Sequence, residues 1–128
     1  MTIDTEMKLR LLPCSFSICR SGSEPKLPGN AAPLGAILYD GKVYTWIGPQ
    51  DSAPVSEQSQ SGFRALEVQG PLDFGLTGVI AGISAVLAEA GVPIFVLSSY
   101  DTDYILVRTT VISKAVNALK QAGYEVAH

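Results

Sequence analysis

Apolar and polar positions change period several times along the chain, and the changes are sharpest in its second half. Residues 63–68, Phe-Arg-Ala-Leu-Glu-Val, carry the β-branched and aromatic content of a strand and end at a Gly70-Pro71-Leu72-Asp73 turn. Leu76, Val79, Ile80, Ile83 and Leu87 then follow the i, i+3, i+4, i+7, i+11 spacing of one buried helix face, which predicts a helix over 76–90 with Gly91 as its left-handed cap. Residues 94–97 and 104–109 read as two strands joined by a turn at Tyr100-Asp101-Thr102. A short helix over 113–122 follows, with Val116 and Leu119 buried, Ser113 as a candidate N-cap and Gly123 as its stop. Tyr124-Glu125-Val126-Ala127 supplies a last strand.

The order β-α-β-β-α-β is that of the ferredoxin-like α+β class, in which two helices cover one face of a four-stranded antiparallel sheet. The other face of such a sheet meets water and calls for alternation. Ile94-Phe95-Val96-Leu97 is apolar on both faces instead, so a covering partner is expected there. The first half holds strands without convincing helices. Residues 9–20 read as one strand, placed at an edge or bulge by Pro13. Residues 34–39 and 42–47 flank Asp40-Gly41, a strong hairpin signal. The stretches 21–33 and 48–62, rich in Pro, Gly, Ser and Gln, read as loops, the second with room for one helical turn at 55–60. Strand, loop, hairpin, loop makes a degenerate copy of the second half, and Tyr39-Asp40 and Tyr100-Asp101 occupy comparable turns.

The chain has 128 residues, room for one ordinary domain or two very small units sharing a core. It is 47% hydrophobic and 16% charged, with a mean hydropathy of +0.26. That is apolar for a soluble monomer and again points to a covered surface. Nine basic residues against twelve acidic ones, with no basic run, give little purchase on nucleic acid or anionic membranes. The only histidine is His128, so His-based catalytic triads and metal centres are disfavoured. Cys14 and Cys19 lie about 16 Å apart on an extended strand, too far for a disulfide, and are expected as free thiols in a cytoplasmic protein. No secretory signal is visible. Residues 75–97 are long and apolar enough for a membrane span, but Gly91-Val92-Pro93 breaks the run and no basic cluster flanks it.

Two blocks sharpen this picture: Gly70-Pro-Leu-Asp-Phe-Gly-Leu-Thr-Gly-Val-Ile-Ala, and Ser98-Ser-Tyr-Asp-Thr-Asp-Tyr following Val92-Pro-Ile-Phe-Val-Leu. With them the second half strongly resembles the ACT domain, in the branch shared by small tandem-ACT proteins, the cytosolic arginine sensor of animals and the regulatory domains of aspartate kinases. The first half, with Leu11-Leu12-Pro13 and Ser17-Ile18-Cys19-Arg20, more loosely resembles the diverged N-terminal unit of the same small proteins. The resemblance implies two tandem ferredoxin-like units, a degenerate one at 1–62 and a complete one at 63–128. It also implies allosteric binding of a small molecule, usually an amino acid, at an ACT–ACT interface, with a homodimer and a separate regulated protein as partners. No cofactor or metal is expected.

Under that resemblance Asp103 falls on the cation-binding aspartate, Ser99 and Tyr100 on neighbouring strand-end contacts, and Asp73, Gly78 and Ile80 on the strand-to-helix loop. The physical reading agrees. A helix starting near Leu76 presents unpaired N–H groups, and Gly75 and Gly78, beside Phe74, let a ligand carboxylate approach them. Ser98, Ser99 and Asp103 can pair with the ligand's cation. Leu76 stands where the arginine sensor has an acid, which favours a smaller or more apolar amino acid than arginine. Blander roles compete: Asp101 as turn former, Asp73 as helix cap, Gly78 and Gly82 as a close-packing seam against another helix or a partner subunit, or only as relief of crowding on the sheet. A hard-metal pair at Asp101 and Asp103 lacks further oxygens. Two other function classes stand beside the sensor: a ligand-free interaction module docking through its apolar sheet, and a small lyase or isomerase using a desolvated Asp. No base is visible to activate Ser98 or Ser99 as a nucleophile.

Overall fold

The computed structural model describes residues 7–56, 58–69 and 78–128. In chain order its elements are β1 (Lys8–Leu11), β2 (Phe16–Ser21), β3 (Ala36–Tyr39), β4 (Tyr44–Pro49), β5 (Gln58–Val68), α1 (Val79–Glu89), β6 (Phe95–Ser98), β7 (Asp103–Arg108), α2 (Ile112–Gln121) and β8 (Glu125–Ala127). They fall into two compact units, one of Pro13–Phe63 and one combining Met1–Leu12 with Arg64–His128.

The unit carrying both helices shows the expected β-α-β-β-α-β order from Arg64 onward. Its sheet differs from expectation in one strand. The order is β6-β7-β5-β1-β8, so β1 is inserted between β5 and β8, antiparallel to the first and parallel to the second. Register explains the insertion: Leu9 pairs with Val68 and Val126, and Leu11 with Leu66, which places Leu9 among the buried apolar residues. The single strand expected over 9–20 is therefore two strands. Pro13 cannot extend a ladder and Cys14 takes a left-handed conformation with φ of 69°, so the chain turns between them. Cys14 is exposed, Cys19 is buried in β2, and the two form no disulfide. Burial pushes the Cys19 thiol pKa up.

The core of this unit gathers Leu66, Val68, Ile105 and Val107 from the sheet, Ile83 and Leu87 from α1, and Ala115, Val116 and Leu119 from α2. Ile83 and Leu87 lie on the predicted helix face, with Val79 and Ile80 half-buried against the same cluster. Both helices end in the same motif. Gly91 (φ 74°) donates to the Ala88 carbonyl and Val92 to that of Leu87, while Gly123 (φ 101°) donates to Lys120 and Tyr124 to Leu119. These are Schellman closures, with glycine where the left-handed turn demands it. At the other end of α2 the expected Ser113 cap is corrected: the helix starts at Ile112 after a 3-10 turn, Thr109–Val111, and no side chain caps it.

In the Pro13–Phe63 unit the strand order is β3-β4-β2-β5, every pair antiparallel. Numbered within the unit this is 2-3-1-4, the order that β6, β7, β5 and β8 also follow once β1 is set aside. Residues 22–35 and 50–57 stand where the other unit has helices, and among their described residues only a 3-10 turn, Gln50–Ser52, forms. The sheet is closed by packing instead. The Trp46 indole donates to the Lys26 carbonyl at 2.9 Å, and Pro28 packs within 3 Å of where a β-carbon would stand at Gly35 or Gly48. The Asp40-Gly41 hairpin forms as expected, with one Asp40 carboxylate oxygen accepting the Lys42 and Val43 amides at 2.9 Å each. Strand β5 begins at Gln58, not Phe63, because Gln58, Ser59 and Gln60 pair with β2. A bulge at Gly62 (φ 78°) then shifts the register before Phe63 meets Phe16.

Candidate functional site

The candidate side chains of the β6–β7 connection form one small polar construction. Ser98 and Asp103 are register partners across the two strands, and the Ser98 hydroxyl donates to Asp103 Oδ1 at 2.5 Å. Between them the turn closes on itself. The Ser99 amide donates to the Thr102 carbonyl at 2.8 Å, and Ser99 Oγ accepts the amides of Asp101 at 3.3 Å and Thr102 at 3.2 Å. Thr102 is only 7% exposed, and its hydroxyl donates to the Val68 carbonyl at 2.6 Å. Side chains alternate along β7, so Asp103 shares the helix-bearing face with Ile105 and Val107, while Tyr104 and Leu106 point the other way. On that second face Tyr104 lies near Glu67 and Ser99, and Arg10 pairs with Glu67 at 3.3 Å. Burial first, and the Glu67 carboxylate second, push the Tyr104 ionisation upward.

Of the ten candidates, the structure joins Ser98 directly to Asp103 and ties Ser99 into their turn. Tyr100 projects outward, 81% exposed. Gly78, in the left-handed conformation with φ of 84°, is the N-cap of α1, and its carbonyl accepts the Gly82 amide at 2.9 Å. Among the described residues no side chain caps this terminus, and no acid lies in its first turn. The helix thus starts at Val79 with Gly78 in the N-cap position, and the reading of Asp73 as a cap falls on a residue outside the described ones. Ile80 packs against the core. Asp73, Phe74, Gly75 and Leu76 lie outside the described residues. Asp101 serves the turn through its amide, in line with its blander reading.

Thr102, Tyr104 and Glu67 escaped sequence reasoning. Thr102 sits in a polar turn without periodicity, and its partner is a backbone carbonyl that no side-chain pattern announces. The helix-spaced Gly82 proves to relieve crowding, since a β-carbon there would lie 2.8 Å from the Tyr124 hydroxyl. Among the described residues no group of three His, Cys, Asp or Glu side chains could hold a metal, and no helix is long and apolar enough to cross a membrane. Two open grooves, of about 360 and 600 Å³, lie within the Pro13–Phe63 unit beside Arg20 and Gln58, and none of the ten candidates lines them.

Residues 58–121, from β5 through α2, match the ACT domain family. The chain belongs to that family. Its ACT fold is similar to the solved structure of protein Atu0741 from Agobacterium tumefaciens, with 28% identity, a TM-score of 0.82, and 94% of this chain covering 92% of that one. It also resembles a Vibrio cholerae protein of unknown function, VC0802, described as a possible transport protein, at 17% identity and a TM-score of 0.69 over 93% and 91% of the two chains. A third likeness is the ligand-free regulatory subunit of aspartate kinase from Thermus thermophilus, at 13% identity and a TM-score of 0.62 over 89% and 95%. No curated protein matches the chain.

Proposed function

We propose that this ACT protein is a regulatory binder of a small amino acid, seated between ACT units, with the ligand's ammonium on Asp103 and its carboxylate at the start of α1. The observation that carries this reading is the Ser98–Asp103 pair. It places a carboxylate on the helix-bearing face, at a strand end, with one oxygen already oriented by a neighbouring hydroxyl. The N-terminus of α1, which no side chain caps among the described residues, supports the other half of the site, because helix N–H groups there favour a negative charge. The likeness to an aspartate kinase regulatory subunit supports the regulatory part of the reading.

In this reading Pro13–Phe63, narrower than the expected 1–62 because β1 belongs to the other sheet, supplies a second ACT-like unit, supported by the shared 2-3-1-4 strand order. The protein acts in the cytoplasm as a homodimer, and occupancy is transmitted to a separate partner through altered packing. For a signal to exist the ligand must bind two packing states with different affinity. A thermal-shift screen of the twenty amino acids tests the proposal: at about one hundred times its dissociation constant a true ligand stabilises by about 2.7 kcal/mol. Absence of any stabilisation at millimolar concentration rejects it.

A ligand-free interaction module is the second reading, favoured by β6. Phe95 and Leu97 are half-buried on one side of that strand and Val96 is 39% exposed on the other, an apolar edge suited to a docking partner. Light scattering separates the readings in part, since a strict monomer at micromolar concentration removes self-association as the cover for this edge.

A further inference from the structure

Within the Pro13–Phe63 unit the two open grooves share Arg20 and Gln58 as lining residues, and the strand register says why. Arg20 in β2 stands opposite Thr45 in β4 and Gln58 in β5, and Leu38 in β3 stands opposite Thr45. Leu38, Thr45, Arg20 and Gln58 therefore form one row across the sheet, with their side chains on one face. Ile18 shares that face, while Cys19 and Trp46 occupy the other. The row is fixed from the main chain, since the Ser56 hydroxyl donates to the Arg20 carbonyl at 2.5 Å and to that of Gln58 at 2.9 Å.

The corresponding row of the helix-bearing unit is electrically closed. There Leu97 stands opposite Tyr104, Tyr104 lies near Glu67, and Glu67 stands opposite Arg10, which pairs with it at 3.3 Å. Arg20 instead has two uncharged neighbours, Thr45 and Gln58. Among the described residues its exposed guanidinium takes part in no ion pair or hydrogen bond. Asp40 in the hairpin turn feels the Arg20 charge, but less than the Val43 and Lys42 amides that one of its oxygens already accepts.

We propose that this row is a second ligand site, for a small aliphatic monocarboxylate whose head pairs with Arg20 beside Thr45 and Gln58 and whose tail lies on Ile18 and Val43 towards Leu38. A guanidinium presents its donors as a planar fork that matches a carboxylate. One cation with Asp40 near it balances a single negative charge, not the double charge of a phosphate. Ile18 and Val43 are half-buried in the lining of the larger groove. Leu38, 63% exposed, lies two strand spacings, about 10 Å, from Arg20, which suits a short aliphatic chain. The groove's 600 Å³ falls within the range of small-molecule sites.

Titration of the full chain with sodium hexanoate, followed by NMR shifts of the backbone amides, tests the proposal. Saturable shifts are expected at Ile18, Arg20, Thr45 and Gln58, with Ser98, Ser99 and Asp103 unmoved, so that this site and the amino-acid site can fail separately. Acetate should bind about tenfold more weakly than hexanoate, the equivalent of roughly two buried methylene groups. Arg20→Gln should weaken hexanoate at least about tenfold without changing the melting temperature, because the side chain is exposed. Shifts that stay linear, that sodium chloride at equal ionic strength reproduces, or that persist in Arg20→Gln overturn the proposal. Inorganic phosphate binding more tightly than hexanoate, or hexanoate no better than acetate, overturns it as well. Should Arg20→Gln fail to fold, Leu38→Ser replaces it and is expected to weaken hexanoate while leaving acetate unchanged.

Discussion

Tyr124 closes over Gly82: a β-carbon built on that glycine would stand 2.8 Å from the tyrosine hydroxyl oxygen. Two opposing effects meet at this contact. Alanine in a helix interior gains about 1 kcal/mol over glycine from propensity, while overpacking costs about 1–3 kcal/mol. Gly82→Ala is therefore expected to be neutral or destabilising in the wild type. In a Tyr124→Phe background, where the obstructing atom is gone, the same change should stabilise by up to about 1 kcal/mol. Urea melts of the four proteins measure the coupling, and equal effects of Gly82→Ala in both backgrounds contradict the contact.

Trp46, Pro28 and Gly48 make a comparable contact in the Pro13–Phe63 unit, where the indole ring lies 2.8 Å from a β-carbon placed at Gly48. Gly48→Ala should cost about 1–3 kcal/mol. Trp46→Phe should cost about 1 kcal/mol from the hydrogen bond to Lys26 alone, plus the volume lost in a fully buried position. Tryptophan fluorescence and circular dichroism melts check both, and a Gly48→Ala protein as stable as wild type would show that loop packing does not replace the absent helices.

Tyr104 and Tyr124 ionise above the ordinary value of 10.0, both chiefly because they are buried. A raised folded value favours the protonated form. The stability it contributes is complete below pH 10.0 and is lost as the pH rises through the folded values. Tyrosinate absorbance should show late steps, and Tyr104→Phe should remove one of them while weakening the alkaline loss of stability. Removal of a step at or below 10.0 instead would contradict the burial of Tyr104.

Asp40 has the opposite sign. The Val43 and Lys42 amides hold its carboxyl below the ordinary 3.8, so its contribution is present above that value and fades as the pH falls through the lower, folded one. Asp40→Ala should lower the melting temperature at neutral pH, and the gap to wild type should close in acid. A gap independent of pH would place the effect in the chain's turn preference alone.

How far the fold could be read beforehand depended on how local each cause was. Ile83 and Leu87 announced their helix face, Gly91 and Gly123 its closures, and Asp40-Gly41 its hairpin, because spacing and left-handed turns are properties of neighbouring residues. Lys8–Leu11 gave no sign of lying between β5 and β8, since its partners are about 55 and 117 positions away along the chain and only their shared core selects it. Gln58-Ser59-Gln60 looked like loop because it is polar, and it is strand because β2 needs a partner there. At the site the same division holds. Ser98 and Asp103 were carried by a recognisable block, whereas Thr102 acts on a carbonyl 34 residues earlier.

Isothermal titration of the amino acid that most stabilises the wild type, repeated on Asp103→Ala and Asp101→Ala, tests the central claim most directly. Loss of a charge-assisted contact predicts an affinity at least about tenfold weaker for Asp103→Ala, with Asp101→Ala close to wild type because Asp101 serves the turn through its amide. Equal losses in the two variants, or a wild type that binds no amino acid at millimolar concentration, would contradict it.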